Sequence, residues 1–245
     1  MAQPAAAPRN DVKTAIARLS LFQGLEDAVL DRFVEKAVPK LHHKGKLLFQ
    51  QDDEAEWFYL VQTGWVKLFR ETLEGEEAIV DILPAGHIFG ETAVFEDGQY
   101  PYSAEVVEPG CIVGLPTSLL KKEIEYNPAI SLNLLSAMSR HRRQQSREIE
   151  HLSIQSAPQR IGCFLLRLCK PDHTGPITLH LPYDKLLIAA RLGMRSETFS
   201  RALSKLKTEV GLTVQGSSIT CHDFTKLQKY ACSACSDEYP CQDLC

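Results

Sequence analysis

Four cysteines crowd the last fourteen positions of the chain: Cys232, Cys235, Cys241 and Cys245, spaced C-x2-C-x5-C-x3-C. Thiolates two residues apart converge on one metal ion or cluster, because the short loop brings both sulfurs to the same side. The set reads first as ligands of an iron–sulfur cluster of the 4Fe–4S type, with Pro240 directly before Cys241 and no histidine neighbouring the four in sequence. Structural zinc is the second reading, since all-cysteine zinc sites also use C-x2-C pairs. A thiol–disulfide switch and an unligated tail are the remaining ones. Cys111, Cys163, Cys169 and Cys221 lie within apolar periodic segments and read as small buried hydrophobes.

A second chemistry lies in the segment RSETFSR, Arg195 to Arg201. On a helix, Glu197 and Arg201 stand four apart and Glu197 and Ser200 three apart, so all three share a face. An arginine can grip guanine O6 and N7 together, and a glutamate can accept from cytosine N4. Phe199 points the other way, toward a core with Leu192, Leu203 and Leu206. A plain surface ion pair between Glu197 and Arg201 is the competing reading, and the surrounding elements decide between them. IAARLGM before the segment is helical and turns at Gly193, and LTVQGSSITCHD after it is a hairpin turning near Gln215-Gly216. With the apolar helix QRIGCFLLRLC and the short strand TLHLP upstream, the pattern is a winged helix-turn-helix.

The front of the chain must be built differently. Residues 11 to 37 carry helical apolar spacing broken by LFQGL. From Lys40 to Pro116, runs such as WFYLVQ, WVKLFR, AIVDIL and CIVGLP are punctuated by glycine about every ten residues, which predicts an all-β barrel or jelly roll. Residues 117 to 155 return to helix with a start signal at Asn127-Pro128. Leu132, Leu135, Ile149 and Leu152 form a narrow seam that predicts a dimerisation helix, around a polar middle, RHRRQQSRE. The expected divisions are 1–20 (tail and first helix), 21–125 (β-roll sensor), 126–155 (dimer helix), 156–230 (winged helix) and 231–245 (Cys-rich tail). The fold class is α+β.

Composition sets outer bounds. The 245 residues are 44% hydrophobic and 24% charged, enough for packed cores and incompatible with wholesale disorder. Net charge is −4, but residues 51–80 hold eight acids against two bases, and residues 183–211 hold six bases against three acids. A sensing front and a polyanion-binding rear follow. No apolar run approaches the roughly 20 residues of a membrane helix. MAQPAAAPRN lacks the apolar stretch of a signal peptide, so a cytoplasmic protein without membrane partners is expected.

Together LFQGL, KGKLLFQQDDEAEWFYLVQTGWVKL, GEEAIVDILPAGHIFGETAVFEDGQYPYSAEV, APQRIGCFLLRL and LGMRSETFSRALSKLK resemble the cyclic-AMP receptor protein/FNR superfamily of bacterial transcription factors, from about Leu21 to Asp223. The resemblance implies a cyclic-nucleotide-binding-like β-roll, a long dimer helix and a winged helix. It implies a homodimer on palindromic double-stranded DNA, in contact with RNA polymerase. Ser196 stands where the cyclic-AMP receptor pattern has arginine, and Glu197, Ser200 and Arg201 are similar to the FNR branch, which favours TTGAT half-sites. Base reading is carried onto those three residues, and phosphate contact onto Arg195 and Lys205.

The resemblance also bears on the effector. Members that bind cyclic AMP use a Gly-Glu pair and an arginine–serine pair that clamps the phosphate. Gly90-Glu91 and Ser103 are present here, but Tyr102 replaces the arginine, so the charge-assisted bond to phosphate is lost and cyclic AMP is disfavoured. YPYSA looks like the nitric-oxide-responsive members, some of which carry heme; His42, His43 and His87 are the candidate axial ligands of that minority reading. FNR proteins carry a similar C-x2-C-x5-C near the N terminus, whereas this chain has no cysteine before Cys111. The expected function is therefore a regulator, not an enzyme, tuned to redox state, oxygen or nitrogen oxides. The alternatives are an iron–sulfur electron carrier, or a nucleotide-gated subunit acting on a protein.

Overall fold

Short runs of β-branched and aromatic residues can bury an apolar face only by pairing, and in residues 1–139, one of two compact units of the chain, they pair as two antiparallel sheets. The computed structural model describes residues 9–235 apart from 76, 170–174, 182–184 and 217. Helices α1 (Arg9–Ala17) and α2 (Asp27–Lys36) lead in. The strands follow: β1 (Val38–His42), β2 (Leu47–Phe49), β3 (Trp57–Val61), β4 (Trp65–Glu71), β5 (Glu77–Leu83), β6 (Ile88–Phe89), β7 (Ser103–Glu108) and β8 (Gly110–Pro116). Their orders are β1-β8-β3-β6 and β2-β7-β4-β5. Val66, Leu68, Phe89, Val106 and Ile112 fill the roll between them.

LFQGL is more than a break. Ser20–Phe22 form a 3-10 turn that drives Leu21 and Phe22 into the core, where the Phe22 ring meets Phe33 edge-on at 4.8 Å. Helix α3 (Thr117–Tyr126) ends at Asn127, whose extended backbone suits a residue before proline, and α4 (Pro128–Ile154) begins at once.

The second unit, residues 140–245, takes the rest of α4 and then α5 (Ala157–Arg167), β9 (Ile177–His180), α6 (Lys185–Arg191), α7 (Ser196–Leu206), β10 (Leu212–Gln215), β11 (Ser218–Cys221) and α8 (Phe224–Cys232). At the start of α5 the Ser156 N–H donates to Gln159 Oε1 at 2.9 Å. The wing is a three-stranded sheet ordered β10-β11-β9. The reading that starts a tail at 231 misses α8, because Ala231 and Cys232 are its last two residues. Asp223 caps this helix by accepting from the Lys226 N–H at 2.9 Å, and Phe224, Leu227 and Ala231 are buried. It packs on α5 at Gly162, where a methyl group would meet the Ala231 Cβ at 3.0 Å, tighter than side chains ordinarily pack. Among the described residues no helix is long and apolar enough to cross a membrane.

Candidate nucleic-acid interface and sensor site

The turn between α6 and α7 passes through Gly193 at φ +63°, left-handed backbone that L side chains rarely adopt. Beyond it Arg195 takes the N-cap position of α7 with extended backbone. One stripe of the helix is core: Phe199, Ala202, Leu203 and Leu206 are buried, and Leu192 before it is half-buried. The opposite stripe is open. Arg195, Glu197, Ser200, Arg201 and Lys205 are exposed, and Ser196 is half-buried. Acid, hydroxyl and guanidinium thus stand on one solvent-facing side of a helix whose other side is anchored. Glu197 in the first turn also favours the positive end of the helix dipole.

A charged knot fixes the scaffold beneath. Glu148 of α4 accepts from Arg191 Nη2 at 2.6 Å and Nη1 at 3.1 Å, and from Arg167 Nη1 at 3.2 Å. Burial alone would raise this carboxyl, but the hydrogen bonds and charges of Arg191 and Arg167 outweigh it and hold it below the usual carboxylate value. The carboxylate therefore joins α4, α5 and the first helix of the helix-turn-helix. Nothing in the spacing of these residues along the sequence marks the trio.

In the β-roll, the four effector-pocket residues are drawn into the wall. Ser103 is buried and its Oγ accepts from the Gln51 N–H at 2.9 Å. Tyr102 accepts from the Gly90 N–H at 3.2 Å, and burial raises its phenol well above the ordinary value, with the Glu91 charge adding to the effect. Glu91 Oε2 is buried with no hydrogen-bond partner, and desolvation raises the carboxyl. Aromatic rings cluster with Tyr102. Phe49 stacks on Tyr100 at 3.6 Å and lies 5.6 Å from Tyr59 and 6.2 Å from Tyr102. Tyr100 donates its hydroxyl to the Trp57 carbonyl at 2.5 Å. The interior thus offers rings and a carboxyl with one unpartnered oxygen, and the seryl oxygen accepts from the backbone. Sequence reasoning picked out Tyr102 and missed Phe49, Tyr59 and Tyr100, whose register toward one interior depends on sheet pairing. Of the heme candidates, His43 and His87 are exposed and His42 is half-buried, its imidazole lowered by burial and by the charges of Lys46 and Lys40.

Cys111, Cys163, Cys169 and Cys221 are buried, and burial pushes the Cys169 thiol up to about 11. Cys232 ends α8 and Cys235 lies in the turn after it, both half-buried. Cys241 and Cys245 fall outside the described residues. The absence of a histidine from the sequence around these cysteines does not hold in space: His151 of α4 brings Nε2 to 3.3 Å from Cys235 Sγ. On α4 the four seam residues are open to solvent, Leu132 at 64%, Leu135 at 62%, Ile149 at 67% and Leu152 at 51%.

The chain is similar to known proteins over both units. Residues 39–127 match the cyclic nucleotide-binding domain family and residues 159–230 the Crp-like helix-turn-helix domain family. It is 32% identical over 189 residues to the cyclic AMP receptor protein of Thermus thermophilus, covering 77% of this chain and 86% of that one. It is 26% identical over 205 residues to the fumarate and nitrate reduction regulatory protein of Escherichia coli, covering 82% and 81%. A putative cyclic nucleotide binding protein from Ruegeria pomeroyi has a similar crystal structure, with a TM-score of 0.69 at 35% identity over 92% of this chain and 99% of that one.

Proposed function

The chain belongs to the cyclic-AMP receptor protein/FNR superfamily of transcription regulators, and on that premise we propose that it is a cytoplasmic homodimer that binds TTGAT-like palindromes and works with RNA polymerase. The observation that carries this reading is the exposed stripe of Glu197, Ser200 and Arg201 on α7, backed by buried Phe199, Leu203 and Leu206. Arg201 and Glu197 read base edges with Ser200 between them, while Arg195 and Lys205 meet phosphates and Ser196 lies at the entry to the groove. The partner chain covers the exposed seam of α4, which presents α7 twice at the spacing a palindrome needs. The test is a gel shift with TTGAT palindromes and scrambled controls at two salt concentrations. Specific binding that weakens steeply with salt supports the reading, and equal affinity for the scrambled duplex refutes it.

For the effector, the proposal is redox state or nitrogen oxides acting on a metal centre at Cys232, Cys235, Cys241 and Cys245. Cyclic AMP is set aside, because Tyr102 stands where the phosphate clamp needs an arginine and offers no guanidinium. A bound metal shifts DNA affinity only if it prefers one arrangement of the DNA-binding unit. Cys235→Ser should therefore abolish any redox dependence of DNA affinity, read in the same gel shift under air and under anaerobic reductant.

A further inference from the structure

Residues 140–154 of α4 belong to the same compact unit as the helix-turn-helix, and two of their side chains grip it. The Glu148 carboxylate takes both arms of the Arg191 guanidinium, Nη2 on Oε1 at 2.6 Å and Nη1 on Oε2 at 3.1 Å, and Arg167 Nη1 shares Oε1 at 3.2 Å. Two parallel bonds from a planar fork fix an angle as well as a distance, which a lysine's point charge would not. The Arg191 and Glu148 side chains are 17% and 24% exposed, so the pair escapes most of the screening that weakens surface ion pairs. Arg191 is the last residue of α6. The turn behind it is closed by the Gly193 N–H on the Ala190 carbonyl and the Met194 N–H on the Ala189 carbonyl, each at 3.0 Å. Whatever holds Arg191 therefore holds the turn from which α7 starts.

Leu152 makes the second grip. It stands four residues after Glu148, on the same side of the helix, and a methyl group on Gly193 would meet its Cδ2 at 3.0 Å, so the leucine lies against the turn itself. Leu152 is also three residues after Ile149, and both expose half or more of their surface. One turn of α4 thus faces two ways: Glu148 and Leu152 toward the helix-turn-helix, Ile149 and Leu152 toward the face assigned to a second copy. Held at two points one turn apart, this end of α4 can neither roll nor slide beneath α6. We propose that Glu148 is a positioning residue for DNA recognition. With Leu152 it lets the end of α4 set the separation and phase of the two α7 helices of a dimer, and hence the number of base pairs accepted between half-sites. Arg201 and Glu197 select sequence; Glu148, acting through Arg191, selects spacing. The inference rests on the reading of the chain as a dimer on palindromic DNA and adds the residue that fixes the spacing. Adding or removing one base pair moves a half-site by about 3.4 Å and turns it by about 35° around the duplex. A rigid pair of reading helices meets that change only by twisting the DNA, whereas a loosened pair follows it.

The experiment measures binding of the full chain to palindromes of one preferred spacer, one base pair shorter and one longer, and to a duplex with a single half-site. Half-sites come from the sequences that the unmutated chain itself enriches from a randomised duplex pool. All variants are compared at a temperature where circular dichroism shows them folded. The unmutated chain should prefer one spacer by at least about tenfold, because the others require a twisted duplex. Glu148→Gln should bind the single half-site within about twofold of the unmutated chain and narrow the spacer preference to within about threefold, since the base-reading side chains are untouched. Arg191→Lys keeps the charge but loses the fork, and should relax the preference too. Ile161→Val, a core change in α5 that lowers stability and leaves the ion pair in place, should keep it. A spacer preference at full strength in Glu148→Gln or in Arg191→Lys overturns the positioning role alone. So does a loss of affinity equal for the single half-site and every spacer, or a preference relaxed as far by Ile161→Val, since either marks Glu148 as a support of the fold only. An unmutated chain that binds all spacers equally, or enriches no palindrome, overturns the dimeric reading and the positioning role together.

Discussion

At the scale of single residues, the DNA assignment is a statement about Arg201 and Glu197. Losing one bidentate base contact costs about 1–3 kcal/mol, so Arg201→Ala should weaken binding to the preferred palindrome and leave non-specific binding nearly unchanged. Lys205→Ala should weaken all sequences alike and lower the salt slope by about 1, since a phosphate contact releases counterions without reading sequence. Both are measurable by fluorescence anisotropy across a salt series. In the β-roll, Glu91 is a buried carboxyl with an unpartnered oxygen and a raised folded-state value. A carboxyl raised on folding destabilises the fold once pH exceeds its unfolded value, because ionisation then favours the unfolded chain. Glu91→Gln should therefore be more stable at pH 7, by about 1–3 kcal/mol, with the gain shrinking toward pH 4. Urea melts at the two pH values decide it. The spacing of Glu197, Ser200 and Arg201 is readable in a linear sequence because helical faces obey a fixed period. The burial of Glu91 is not, since it depends on packing between segments distant in sequence, Tyr102 among them.

Among the elements, α4 carries the sharpest expectation. Leu132, Leu135, Ile149 and Leu152 expose half or more of their surface on a single chain, an arrangement stable helices normally bury. Replacing Leu135 and Ile149 together by Lys should shift the protein from dimer to monomer in sedimentation equilibrium. DNA affinity should fall with it, because both half-sites are then no longer engaged at once. The roll, α4 and the helix-turn-helix were legible because their apolar periods differ and turn residues separate them. Helix α8 was not legible. Its core stripe is Phe224, Leu227 and Ala231, and recognising the alanine as core requires knowing that Gly162 of α5 lets it approach. Short helices that owe their burial to a partner's missing side chain carry little signal of their own.

Across the whole molecule, pH enters through Glu148. Its carboxyl is held below its unfolded value, so the stabilisation it lends is present above about pH 4.5 and is lost as pH falls through the lower folded value. Glu148→Gln should flatten that acid-side loss and lower stability at pH 7 by about 1–3 kcal/mol, since Arg167 and Arg191 lose their charged acceptor. Thermal melts followed by circular dichroism between pH 3 and pH 7 report both effects. The order of elements as far as the wing, the acidic front and basic rear, and the face of α7 that is open to solvent were determined by the sequence alone, because periodicity and charge are local properties of a polymer. Tertiary structure decided which distant groups share a site: Glu148 with Arg167 and Arg191, Phe49 with Tyr100, and Cys235 with His151, 84 positions apart. Pairings of that kind depend on chain closure and packing, which no short stretch of sequence encodes.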